Sequence, residues 1–172
     1  RVIVWGRNPD AARECAEYAL GAGCAHVEVA ATVAAAAADA DVICTVTGSP
    51  TAILSGRDVR KGTHLCLVGA SIPTSREVDD DLVVLSRYFV DYRGSALAQA
   101  GELLDAIKAG RVTEAHILGE IGDVLSGAVP GRLADDDVTV YKSLGVAAQD
   151  LVSALLVYRH ALERGLGTVA EL

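Results

Sequence analysis

Four loops in this chain follow apolar, strand-like runs and carry residue types that could do chemistry. They are Gly6–Asn8, Thr47–Pro50, Gly69–Thr74 and Asp91–Ser95. In an open parallel sheet, ligands bind beyond the carboxyl ends of the strands, which is where such loops lie. Arg7 comes directly after Val2-Ile3-Val4-Trp5-Gly6, and no carboxylate follows before Asp10. In dinucleotide-binding folds an acidic residue at that strand end bonds the ribose 2′-hydroxyl of NAD, whereas an arginine accommodates the 2′-phosphate of NADP. A guanidinium fork matches phosphate geometry, so Arg7 with Asn8 is a candidate for the 2′-phosphate side; a solvated arginine is the alternative. Thr47-Gly48-Ser49-Pro50 offers hydroxyls and a glycine that would suit backbone lying against a flat ring, or an ordinary turn. Gly69-Ala70-Ser71 places a hydroxyl just past a buried strand. At Lys142-Ser143-Leu144-Gly145, Ser143 can cap a long helix, either with its free N–H groups facing a polar or negative ligand or as a plain cap.

The elements that must position these loops alternate in a βα rhythm. Strands are predicted over Val2–Trp5, His26–Ala30, Asp41–Thr47, His64–Gly69 and Arg87–Asp91. Asn8 caps the first helix, with Pro9 at its first position, and that helix runs to about Leu20. Thr32 caps an alanine-rich helix ending near Asp39. The nearly continuous apolar run Asp41–Thr47 reads as a strand covered on both faces. Strands alternating with helices imply an α/β fold, a Rossmann-like doubly wound parallel sheet. Beyond Asp91, helices are predicted over Ser95–Ala109 and Thr113–Leu125. A loop over Gly127–Asp137, a strand over Val138–Tyr141 and a helix over Ser143–Arg164 follow. Leu144, Ala148, Leu151, Leu155 and Leu162 line one apolar face of that last helix. Its length, about 33 Å, exceeds what a small sheet needs, so it should reach toward another domain or subunit. Residues 1–142 thus form a nucleotide-binding domain and residues 143–172 a C-terminal helical extension.

Composition narrows the partners. The 172 residues carry a net charge of -8 with no basic run longer than Arg60-Lys61, which argues against nucleic acid or an anionic membrane surface. No apolar stretch approaches the roughly 20 residues of a membrane span, and no signal peptide is visible, so a cytoplasmic location is expected. Cys15, Cys24, Cys44 and Cys66 show no C-x-x-C pairing and read as buried free thiols. The acidic runs Asp79–Asp81 and Asp135–Asp137 lack calcium-loop spacing and read as helix caps and solvated charge, so no metal is expected. His26, His64, His116 and His160 form no spaced pair. Glu120 and Asp123, one helical turn apart, read as a salt-bridged surface. The chain starts at arginine and contains no methionine, so it is expected to be an internal portion of something longer.

Several segments together resemble one family. Leu67-Val68-Gly69-Ala70-Ser71-Ile72-Pro73 with Arg76-Glu77-Val78-Asp79, and Val90-Asp91-Tyr92 with Gly101-Glu102-Leu103, are similar to segments of the ornithine cyclodeaminase and mu-crystallin family. So are Leu118–Val124 and Thr139-Val140-Tyr141-Lys142-Ser143-Leu144-Gly145 with Gln149-Asp150-Leu151. The resemblance is collinear over essentially the whole chain. It implies a Rossmann NAD(P) domain whose first strand and glycine loop would precede Arg1, joined to a separate domain for substrate binding and homodimer formation. By resemblance, Arg7, Asn8, Thr45, Val46 and Thr47 border the cofactor, and Gly69, Ser71, Lys142, Ser143 and Gly145 line its nicotinamide region. Ser71 stands where cyclodeaminases and related alanine dehydrogenases carry an aspartate, and by that position the resemblance makes it the catalytic candidate. With Arg7, that departure implies NADPH-dependent reduction of a small imino acid, NADP(H) being favoured over NAD(H). The alternatives are cyclising deamination of ornithine to proline, and NADPH binding without turnover.

Overall fold

The computed structural model describes residues 1–168 and 170. Residues 169, 171 and 172 of the predicted C-terminal extension lie outside them. Among the described residues seven strands and seven α-helices follow in the order β1 (Val2–Val4), α1 (Pro9–Gly21), β2 (Val27–Val29), α2 (Val33–Ala37), β3 (Val42–Thr45), β4 (His64–Leu67), α3 (Asp80–Leu85), β5 (Arg87–Val90), α4 (Arg93–Gln99), α5 (Gly101–Lys108), β6 (Ile117–Glu120), α6 (Ile121–Leu125), β7 (Thr139–Lys142) and α7 (Ala147–Arg164). Every strand pair is parallel. The hydrogen bonds divide the strands into a two-stranded sheet, β1-β2, and a five-stranded sheet of order β3-β4-β7-β5-β6.

Local signals set the early helices as expected. The Asn8 side chain accepts from the N–H of Asp10 and Ala11, and Thr32 accepts from Ala35. Asp79 caps α3 through Leu82 N, at 3.0 Å. Its carboxylate also accepts from Gly56 N and Ser55 Oγ. Burial opposes the charge on Asp79, but these bonds outweigh it and hold the pKa below the usual carboxylate range.

The core lies on one face of the larger sheet. Leu65 and Leu67 of β4, Val140 of β7 and Tyr88 and Val90 of β5 alternate onto that face. They pack with Leu82 and Val83 of α3 and Leu103 and Ala106 of α5. Alternation at a period of two is what brings these residues to one side.

Several expectations require correction. First, β3 is not covered on both faces: Val42 and Cys44 are exposed, because β3 is the edge of the five-stranded sheet. Second, the cysteines are free but not buried: Cys15 and Cys44 are exposed, and Cys24 and Cys66 are half-buried. Third, the helix predicted over Ser95–Ala109 breaks at Ala100, whose ψ of 90° is extended. At Gly101 a Cβ would collide with the Ser75 carbonyl, so the chain must turn where that backbone crosses it. Fourth, Thr113–Leu125 is not one helix but contains strand β6. In its continuation, Asp123 accepts from Glu120 N and Glu120 accepts from Arg93 N, so this pair caps α6 and the start of α4 instead of forming a surface ion pair. Fifth, the last helix begins at Ala147, not at Ser143. The Asp135–Asp137 run caps no helix; the Asp137 carboxylate closes a turn on Leu133 N and Ala134 N.

Replacing Gly101 by alanine should destabilise the fold by about 3 kcal/mol, because backbone cannot yield as a flexible side chain can. Urea unfolding of G101A checks this, and a midpoint unchanged from the parent would contradict the close approach.

Candidate functional site

Because the strands are parallel, their exits gather at one rim. In the larger sheet these exits are Val46-Thr47 after β3, Val68–Ser71 after β4, Asp91 after β5 and Ser143–Gly145 after β7. The smaller sheet contributes Arg7. Residues of β1 and β3, including Val2, Ile3 and Trp5 on one side and Val42–Thr47 on the other, line a single cleft of about 660 Å³. The guanidinium of Arg1 is held above its usual pKa, foremost by its bond to Glu28 and also by the charge of Asp39. Arg1, which precedes β1, and Asp39, which precedes β3, both line this cleft. Arg7 follows two residues after Trp5, which lines the cleft together with Thr47.

Glu77 organises the two loops nearest the cleft. It follows the β4 exit loop, is fully buried, and its carboxylate accepts five hydrogen bonds. Oε1 takes Thr47 N at 2.6 Å and Thr47 Oγ at 2.8 Å. Oε2 takes Thr45 Oγ at 2.8 Å, Gly69 N at 2.9 Å and Ala70 N at 3.4 Å. A buried carboxylate is tolerated only when donors replace its water, and these five do so. Gly69 has to be glycine here, since a Cβ would collide with the backbone of Thr47. Thr45 and Thr47, expected to border a cofactor, thus turn their hydroxyls inward to Glu77. Val46, between them, is exposed.

Lys142 is also directed inward. Its ammonium is fully buried, donates to the Ala70 carbonyl, and pairs with the equally buried Glu102 at 3.1 Å. It thereby fixes the peptide that precedes Ser71, whose side chain is exposed. The Tyr88 hydroxyl lies buried near the same pair, and burial first, then the Glu102 charge, raises its pKa well above the ordinary value.

Ser143 does not cap α7. Asp91 Oδ2 instead takes Leu144 N at 2.6 Å and Gly145 N at 2.7 Å, and Gly145 adopts a φ of +86° that no helix contains. Those N–H groups are therefore not open to an anionic ligand. Of the remaining candidates, Arg7 and Asn8 are exposed, Asn8 with its oxygen committed to capping α1. Gly145 is exposed and Ser143 half-buried.

The rim is thus lined by backbone, hydroxyls and one guanidinium, over carboxylates already saturated with donors. Glu77 and Asp91 have their oxygens engaged and are poorly placed to take a proton from a ligand. Sequence reasoning assigned no role to Glu77, Asp91 or Glu102. The available signal was a carboxylate beside apolar residues, as in Val90-Asp91 and Glu102-Leu103-Leu104; Glu77, between Arg76 and the Asp79–Asp81 run, carried no such signal.

A model of the ornithine cyclodeaminase/mu-crystallin family matches residues 1–165. The chain belongs to that family. Within it, the chain is 40% identical over 157 residues to ketimine reductase mu-crystallin of Mus musculus, covering 91% of this chain and 46% of that protein. The structure of Thermococcus litoralis Delta(1)-pyrroline-2-carboxylate reductase in complex with NADH and L-proline superposes with a TM-score of 0.88 at 30% identity, covering 98% of this chain and 52% of that one. The iminosuccinate reductase of Paracoccus denitrificans in complex with NAD+ gives 0.86 at 31% identity, over 100% and 52%. The chain therefore spans about half the length of the relatives it matches.

If Glu77 holds the two loops together, Glu77→Gln should lower stability by about 2 kcal/mol, since an amide nitrogen would face backbone N–H donors. The Glu77→Ala variant should lose more. Thermal unfolding of both reads this out, and a melting point of E77Q equal to the parent's would refute it.

Proposed function

We propose that this chain is the cofactor-binding part of an NAD(P)H-dependent reductase of small cyclic or linear imino acids. The observation that carries this reading is the rim around Ser71. A deaminating lyase would call there for a carboxylate that handles protons, and the chain presents a neutral hydroxyl. The nearby carboxylates, Glu77 and Asp91, are filled by donors from the chain itself. Reduction makes a smaller demand on the protein, because the nicotinamide supplies the hydride and the protein supplies placement. Two solved relatives carry NADH or NAD+, in keeping with a dinucleotide along this rim.

In this reading the adenosine end lies at Arg7 and Asn8, and Arg7 favours NADP(H) over NAD(H) by pairing with a 2′-phosphate. Val46 and the backbone of Thr45–Thr47 border the middle of the cofactor, and Gly69, Ser71, Ser143 and Gly145 border the nicotinamide. Lys142 contributes from beneath, through the Ala70 carbonyl. The cleft between β1 and β3 accepts a further parallel strand with its phosphate-binding turn. Both of its walls are strand edges with no partner on that side, and a strand with hydrogen bonds on both sides would join the two sheets. Helix α7 reaches toward a substrate-binding and dimer-forming part. Leu151, Leu155, Leu156 and Leu162 are exposed along it, and none of its residues is buried.

The protein carrying this chain, given NADPH and Delta(1)-pyrroline-2-carboxylate, should consume NADPH. Ammonia release from ornithine without net NADPH consumption would favour the lyase instead. Stoichiometric NADPH binding with no turnover across a panel of cyclic imines would leave a binding protein. Arg7→Ala should weaken NADPH binding by about 10-fold or more while changing NADH binding less than about twofold. Equal losses for the two cofactors in fluorescence titration would remove Arg7 from the 2′-phosphate site.

A further inference from the structure

Strand β7 is central in the five-stranded sheet, and its exit is tied to both neighbours. On the β4 side, Ser143 N donates to the Leu67 carbonyl at 3.0 Å. On the β5 side, Asp91 N donates to the Lys142 carbonyl at 3.1 Å, and the Asp91 side chain then reaches across the exit. One of its oxygens takes Leu144 N, Gly145 N and the Ser143 hydroxyl, the last at 3.4 Å. The other takes Tyr92 N at 2.8 Å. Asp91 is 8% exposed, so little water competes for these bonds.

The consequence is conformational. Ser143 is a good helix cap by type, and a chain free to follow that preference would start α7 there. Asp91 instead draws two successive N–H groups toward one oxygen. That arrangement needs the left-handed backbone at Gly145, which glycine alone adopts without strain. The loop is thereby held at the rim beside Ser71, and α7 starts two residues beyond Gly145.

We infer that Asp91 is a positioning residue for the nicotinamide end of the cofactor, acting through the main chain of Ser143–Gly145 and not by touching the ligand. The inference rests on the proposed reductase reading. It requires that Asp91 matter to the nicotinamide half of the dinucleotide and not to the adenosine half.

The test compares Asp91→Asn with the parent, in the protein carrying this chain, for three quantities. These are turnover of Delta(1)-pyrroline-2-carboxylate with NADPH, affinity for NADP+, and affinity for 2′,5′-ADP, which lacks the nicotinamide. An amide nitrogen facing two N–H groups should release the loop. The kcat should then fall about 10-fold or more and NADP+ affinity should drop, with 2′,5′-ADP affinity within about twofold of the parent. Gly145→Ala, which strains the same loop without touching Asp91, should reproduce the pattern. It also serves should D91N not fold. Unchanged kcat and NADP+ affinity in a folded variant would overturn the inference, as would equal loss of NADP+ and 2′,5′-ADP. A parent that consumes no NADPH with any cyclic imine would sink the reductase reading alone. The two affinities would still decide the role of Asp91.

Discussion

The carboxylate of Glu77 is the interaction on which the rim depends. β3 and β4 lie side by side with matched register, and their exits would diverge as ordinary loops if nothing joined them. Glu77 returns from eight residues beyond Gly69 to accept from both exits at once. A neutral side chain could not satisfy five donors, and an exposed carboxylate would lose them to water. Full burial makes the arrangement stable only when complete, because removing any single donor leaves part of a charge unsolvated.

The same solution recurs at the other strand ends. Lys142 and Glu102 pair within the core and fix the Ala70 carbonyl, and Asp91 fixes the turn after β7. Glu77, Lys142 and Asp91 each sit behind the loop that follows a strand and bond to its backbone. The apolar core below, built from Leu65, Leu67, Leu82, Leu103 and Val140, is non-directional and could tolerate small shifts. Bonds to charged groups are directional and hold loop atoms more closely. The division of labour is physical: apolar burial supplies most of the stability, and the buried charges set where the rim lies.

The smaller sheet stands apart because its edge and that of β3 share no hydrogen bonds. Residues from both edges line one cleft.

Much of this was legible in the chain itself. The β-rich runs, the caps at Asn8 and Thr32 and the α/β class follow from local pattern, since period and capping chemistry act within a few residues. Other features were not legible for equally physical reasons. β6 contains Gly119 and runs straight into α6, so its four residues carry no strand signal separable from a helix. The break at Ala100 depends on the backbone of Ser75, far away in sequence. The start of α7 was misread because Ser143 is a fair cap locally, and only the fold brings Asp91 within reach of Leu144 and Gly145. The sequence alone thus determined the α/β class, the early strands with their helix caps, and which loops follow those strands. Tertiary structure alone decided which side chains face solvent and which hold the loops, because a carboxylate's role depends on the donors that folding places around it.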